Sequence, residues 1–210
     1  METLAHDTEL APAQRSTNSR LESFGDIVFG FTLVSMATRL RVPQKPEDLI
    51  AELPDFGVFL LAFAVLCVLW FRQHVLFRDL FVPDPAGIVL NFVVLAAIAV
   101  FAYPLELYIK LGQESAIALA GYAVVLGVLN AAFGALCFKG LHQRGGGLDE
   151  RRHSRAEWTA TRASVLGIAF LCCGLAYPLG VQAMFEIIAG VMVAGLGGYA
   201  VWRRLRGRYA

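Results

Sequence analysis

Between Ala163 and Trp202 the chain carries a single charge, Glu186. One helix over that stretch would be about 60 Å long, twice the roughly 30 Å hydrocarbon core of a bilayer. The stretch must therefore fold back on itself. Tyr177-Pro178-Leu179-Gly180 supplies the break, because proline stops a helix and glycine permits a tight turn. The expected result is a pair of antiparallel helices at about 156–177 and 181–203.

Three more runs are long and apolar enough to span: Phe56 to Phe71 with its polar extensions, Ala86 to Leu105, and Ala116 to Phe138. Hydrophobic residues make up 57% of the chain and charged residues only 17%, against about a quarter charged in soluble domains. The net charge of +1 offers no basic surface for nucleic acid. The fold class is all-α: a polytopic membrane protein of six transmembrane helices.

The first helix differs from the other five. Its apolar run, Ile27 to Thr38, is too short to span alone, and Arg20, Glu22, Asp26, Arg39 and Arg41 flank it. Ser19-Arg20-Leu21-Glu22 fits a capping box, so a helix is expected from Arg20 to Leu40. Charges at membrane depth face protein or water rather than lipid. The helix therefore either lies in the interface or runs inside an assembly, and the second reading is preferred. Residues 1–19 lack the basic and apolar regions of a signal peptide and read as a disordered lead-in to a transmembrane domain at 20–206.

With six spans both termini share a side. That side collects Arg15, Arg20, Arg72, Arg78, Lys139, Arg144, Arg151, Arg152, Arg155, Arg162, Arg203, Arg204, Arg206 and Arg208, whereas the other side has only Arg39, Arg41, Lys45 and Lys110. The asymmetry predicts cytoplasmic termini in the cell membrane. Glu47, Asp48, Glu52 and Asp55 are expected to balance the outer arginines. The inner segment Gln143 to Ser154, with Gly145-Gly146-Gly147, reads as a flexible linker.

Three places could carry function. Along the first helix, Phe24, Ile27 or Val28, Phe31, Ser35 and Thr38 share one face. Arg20 and Asp26 sit on different sides of that helix. Either Asp26 lies near a helix N-terminus, favoured by the dipole, or both residues fasten the helix to its neighbours. The run Trp70-Phe71-Arg72-Gln73-His74-Val75-Leu76-Phe77-Arg78 reads from composition as an interfacial aromatic belt. Glu186, with Gln182 one turn before it, marks a possible intramembrane ion or proton site. Gly190, Ala194 and Gly198 suggest close helix packing, and Asn91 and Asn130 suggest interhelical hydrogen bonds. The four cysteines lie inside apolar runs without metal-ligand spacing, so they read as packing residues and no metal or cofactor is expected. No enzyme motif is present, and no set of catalytic groups shares one depth.

Arg20-Leu21-Glu22-Ser23-Phe24-Gly25-Asp26-Ile27-Val28-Phe29-Gly30 resembles the first-helix signature of the transmembrane protein 175 family, R-x-x-x-F-S-D followed by an apolar run. Trp70, His74 and Leu76-Phe77-Arg78 resemble the end of that family's second helix, and Leu90-Asn91 and Pro104 fit its third. The resemblance implies a homotetrameric, potassium-permeable cation channel needing no cofactor, with the first helix of each subunit lining a central pore. It implies pore constrictions at Phe31, Ser35 and Thr38, and structural roles for Arg20, Phe24, Asp26, Trp70 and His74. Three departures bear on selectivity: Gly25 stands for the signature serine, Gln73 for the first of a histidine pair, and Ser35 and Thr38 for leucine-like residues. The competing expectations are a proton-coupled secondary transporter using Glu186 and His74, and a non-conducting membrane scaffold.

Overall fold

The computed structural model describes residues 12–40, 43–45, 49–111 and 115–209. Seven α-helices occupy them: α1 (Pro12–Ala37), α2 (Leu49–Asp79), α3 (Pro85–Val100), α4 (Ala102–Leu111), α5 (Ala116–Arg144), α6 (Glu150–Leu175) and α7 (Val181–Tyr209). Among the described residues there is no β-strand. Helices α3 and α4 run on as one span, Pro85–Ile109, so the architecture is six rods. The joint at Phe101 has a local cause. Pro104 has no N–H to give to the carbonyl of residue 100, and its ring crowds that carbonyl. Phe101 N instead donates to Ile98 O at 3.3 Å.

Five rods are long and apolar enough to cross a membrane: 52–79, 85–109, 116–147, 150–175 and 181–204. This is a membrane protein. Helix α1 falls outside the five, as its charges and short apolar run suggest.

Several expected boundaries move. Helix α1 begins at Pro12 rather than Arg20, so the lead-in shrinks to residues 1–11, which lie outside the described residues. Proline at the first helical position sacrifices no hydrogen bond, since that N–H has no partner in a helix anyway. Ser19 is therefore interior, and the apparent capping box marks no start. Helix α6 begins at Glu150 rather than near residue 156, because the Asp149 side chain caps it by accepting from Arg152 N at 2.7 Å. The linker correspondingly tightens to a 3-10 turn, Gly145–Gly147, with His153 Nδ1 3.2 Å from Gly145 O. The turn between α6 and α7 lies where expected, at Tyr177–Leu179 followed by Gly180 with φ +90°. That is a left-handed value few residues other than glycine adopt.

Helix α5 is central. On one side it packs with α1, α2 and α3 around Leu66, Phe77, Phe81, Ile98, Phe101 and Leu129. The rings of Phe77 and Phe81 stack at 4.2 Å. On its other side lies a smaller core with α6 and α7 that includes Leu119, Cys173 and Met184. The α5–α6 contact runs along glycines. A Cβ at Gly134 would lie 2.9 Å from Ser164 N, and one at Gly167 would lie 2.5 Å from Ala131 N. Gly127 and Gly174 meet the facing helix equally closely, each about two turns from its partner glycine. Small residues let backbones approach in this way. The expected seam on α7 is elsewhere: a Cβ at Gly190 or Gly198 meets open space, whereas Gly195 packs on Val165. The four-residue spacing selected the outer face of that helix.

The N-terminal end of α3 is fixed by Asp84. Its side chain caps the helix by accepting from Gly87 N at 2.8 Å and pairs with Lys139 near the end of α5. The Lys139 ammonium, with the helix N–H, holds this carboxyl below the usual carboxylate range. A carboxyl depressed in the folded state stabilises the fold above its unfolded pKa, and that contribution disappears as pH falls through the folded value. Asp84→Asn keeps a capping side chain but loses the charge. It should lower Tm at pH 7 by about 2 °C, as expected for a pair this exposed. The difference should close on acidification through the carboxylate range, as read by thermal unfolding in detergent.

Candidate functional site

Helix α1 has two unlike faces. Gly25, Phe29, Thr32 and Met36 are buried against α2 and α3. Thr32 satisfies its hydroxyl by donating to Val28 O at 2.8 Å. The opposite face is uncovered by the rest of the chain. It carries Ile27, Phe31, Val34, Ser35 and Thr38, and Phe31 is 73% exposed. Phe31, Ser35 and Thr38 follow one another along about 10 Å of helix. Thr38 Oγ1 donates to the Ser35 backbone carbonyl at 3.0 Å.

Behind this face the helix is moored by polar contacts. Trp70 Nε1 donates to Asp26 Oδ1 at 2.7 Å. His74 Nδ1 lies 3.0 Å from Glu22 Oε1. The Trp70 and His74 rings stack at 5.7 Å, one turn apart on α2. Phe24 is only half exposed because its ring meets Phe92 of α3 edge-on at 5.8 Å. The space left among Glu22, Asp26, Trp70, Gln73 and His74 is about 10 Å³, room for one water at most. Asp26 is thereby joined to α2. With α1 starting at Pro12, Asp26 sits several turns inside the helix, beyond the reach of the terminal dipole. Arg20 is exposed and makes no ion pair among the described residues.

The two signature departures face each other. A Cβ at position 25 would lie 2.9 Å from Gln73 Nε2. That amide, 6% exposed, donates to Oδ1 of the fully buried Asn91 at 3.3 Å. Gln73 thus occupies room that Gly25 leaves and links α2 to α3 directly behind α1.

The belt reading of Trp70 to Arg78 needs correcting. At 100° per residue the polar side chains of this run point to different neighbours. Trp70 and His74 turn to α1, Gln73 to α3, and Arg72 to α5. Arg72 Nη1 donates to Asn130 Oδ1 at 3.5 Å, and its guanidinium lies 4.4 Å from the centre of the Phe133 ring. Asn91 and Asn130 make the interhelical bonds expected of them. The inward arginine was legible only as the one long cation on the α5 side of that wheel.

At the far end of α1, Arg39 pairs with Glu106 of α4. This, rather than the acids of its own loop, balances it; Arg41, Glu47 and Asp48 lie outside the described residues. Glu186 is exposed on α7 and accepts from Gln182 Nε2 at 3.0 Å. Helix α7 packs chiefly on α6. Glu186 and His74, paired in the transporter reading, each have a local partner and are not brought together.

Residues 20–101, which span α1 to the α3–α4 joint, match the family described as endosomal/lysosomal potassium channel TMEM175. The match to the TMEM175 family lies in these residues, under half of the chain. The match covers the moored helix, its Trp70 and His74 anchors and Asn91. A potassium channel of Streptomyces collinus is 28% identical over 177 residues, covering 80% of this chain and 82% of that one. A potassium channel of Marivirga tractuosa is 28% identical over 96 residues, covering 46% of this chain and 39% of the relative. The chain thus spans well under half the length of that second relative. The fold matches a crystal structure of a variant of the potassium channel MtTMEM175, with a TM-score of 0.68 at 16% identity over 97% of this chain and 96% of that one. The likeness of fold therefore extends through α7, beyond the residues that match the family.

Proposed function

We propose that this protein is a potassium-permeable cation channel, a homotetramer in the cell membrane with cytoplasmic termini and four copies of α1 around a central pore. The observation that carries this is the uncovered strip of Phe31, Ser35 and Thr38 on a helix moored from behind. A face that mixes a large apolar ring with exposed serine and threonine suits neither lipid nor a dry core, and it suits a narrow wet path. Phe31 side chains from four subunits would constrict that path by excluding water. Ser35 and Thr38 hydroxyls beyond them would replace part of a cation's hydration. Phe24, Asp26, Trp70 and His74 hold α1 in position and do not touch the ion. The potassium channels among its relatives support the choice of ion, and the excess of Lys and Arg on one side supports the orientation.

Purified protein in liposomes decides the matter. Passive potassium flux that rises without saturation, together with a tetrameric mass in detergent, is expected. Saturable flux that requires a proton gradient would instead identify a carrier. A stable monomer would remove the central pore, since each subunit supplies one α1.

A further inference from the structure

Far from α1, the ends of α6 and α7 enclose a groove of about 610 Å³. Arg155, Arg203 and Arg204 line it with Ser154, Trp158 and Tyr199, and among the described residues it is lined by three arginines and no acid. We propose that this groove binds the phosphate of an anionic phospholipid headgroup.

The register of the two helices fixes the depth of the groove. Gly195 packs on Val165, the Tyr199 and Trp158 rings lie 5.4 Å apart, and Arg203 Nη2 donates to Ser154 Oγ at 2.8 Å. These contacts step outward along an antiparallel pair. From Val181 to Trp202, α7 rises about 32 Å, one bilayer core. Arg203 and Arg204 therefore emerge at headgroup level, and Ser154 and Arg155 of α6 stand beside them. Trp158, Tyr199 and Trp202 form the aromatic layer immediately below, the level that such rings occupy in membrane proteins.

The charge and the shape point to the same ligand. Arginine presents a planar fork of donors that fits phosphate oxygens, and three around one groove outweigh any neutral headgroup. Ser154 already orients one guanidinium, so less freedom is lost on binding. A free phosphate ion would meet the same donors but would gain nothing from the rings below. A lipid places its glycerol and upper acyl carbons against Trp158 and Tyr199 while its phosphate reaches the arginines. That lower wall favours the lipid. Basic clusters beside a membrane span attract anionic lipid at about 1 kcal/mol per residue even without a shaped groove.

The test is native mass spectrometry of the detergent-purified protein. It is titrated with phosphatidylglycerol, with phosphatidylcholine, and with phosphatidylglycerol in excess inorganic phosphate. Phosphatidylglycerol adducts should exceed phosphatidylcholine adducts several-fold, and inorganic phosphate should not displace them. The triple variant Arg155→Gln, Arg203→Gln, Arg204→Gln should fall to the phosphatidylcholine level, whereas Arg78→Gln, an exposed arginine at the end of α2, should retain the lipid. The three single variants, each expected to lose part of the preference, carry the test if the triple variant fails to assemble. Equal retention of the two lipids, displacement by inorganic phosphate, or undiminished binding in the variants overturns the site. The measurement does not involve ion flux, so the site and the channel reading stand or fall separately.

Discussion

Phe31→Ala should raise potassium flux through reconstituted protein several-fold. The ring is the largest apolar group on the uncovered face of α1 and has no packing role within the chain, being 73% exposed. Truncating it therefore leaves no cavity in the subunit, and the variant should assemble normally. In the proposed tetramer the substitution removes four rings from one level of the pore. A constriction that blocks by excluding water depends steeply on both radius and apolar surface, and the variant reduces both. Lowering the barrier by about 1.4 kcal/mol is enough for tenfold flux. Ser35 and Thr38 stay in place, so the ion preference set by their hydroxyls should change less than the rate. Liposome flux with potassium and sodium reads both quantities. An unchanged rate in a correctly assembled variant would remove Phe31 as the constriction.

Gly167→Val should cost much of the protein's stability. A Cβ there would lie 2.5 Å from Ala131 N and 2.8 Å from Ala131 Cα. Both are backbone atoms of α5, which no side-chain rotation can move aside, so α5 and α6 must separate. Replacing a helical glycine removes a propensity penalty of less than about 1 kcal/mol. Overpacking at a backbone contact costs about 3 kcal/mol or more and outweighs that gain. The net effect should be a fall in Tm of several degrees, with loss of the sharp size-exclusion peak. Gly190→Val is the matched control, since a Cβ there meets open space. If both variants behave alike, the glycine seam does not hold the two helices together.

Hydropathy made the apolar rods legible because burying backbone polar groups in lipid leaves few alternatives to a helix. The fold-back at Pro178 and Gly180 followed from length alone. The uncovered face of α1 was also legible, because a helix too charged for lipid needs a wet or protein neighbour. The starts of α1 and α6 were missed for a common reason. Apolar runs locate the membrane, whereas helices begin where the first N–H groups are satisfied. At α6 that is Asp149, about two turns before the expected start and four before the hydrophobic stretch. The glycine seam was misplaced because spacing within one helix does not reveal which face meets a partner. Gly127, Gly134, Gly167 and Gly174 become a seam only once α5 and α6 are seen side by side. Arg72 was hidden in an aromatic and basic run whose composition is that of an interface. Only the wheel position that turns it to Asn130 and Phe133 separates it from its neighbours.

Gly25 and Gln73 are far apart in the chain but are coupled through the space they share. A side chain at position 25 would crowd the Gln73 amide where it donates to Asn91, and that flexible amide would have to shift. The two departures from the family signature are therefore one exchange made at two positions. Each position consequently limits which residues the other can accept.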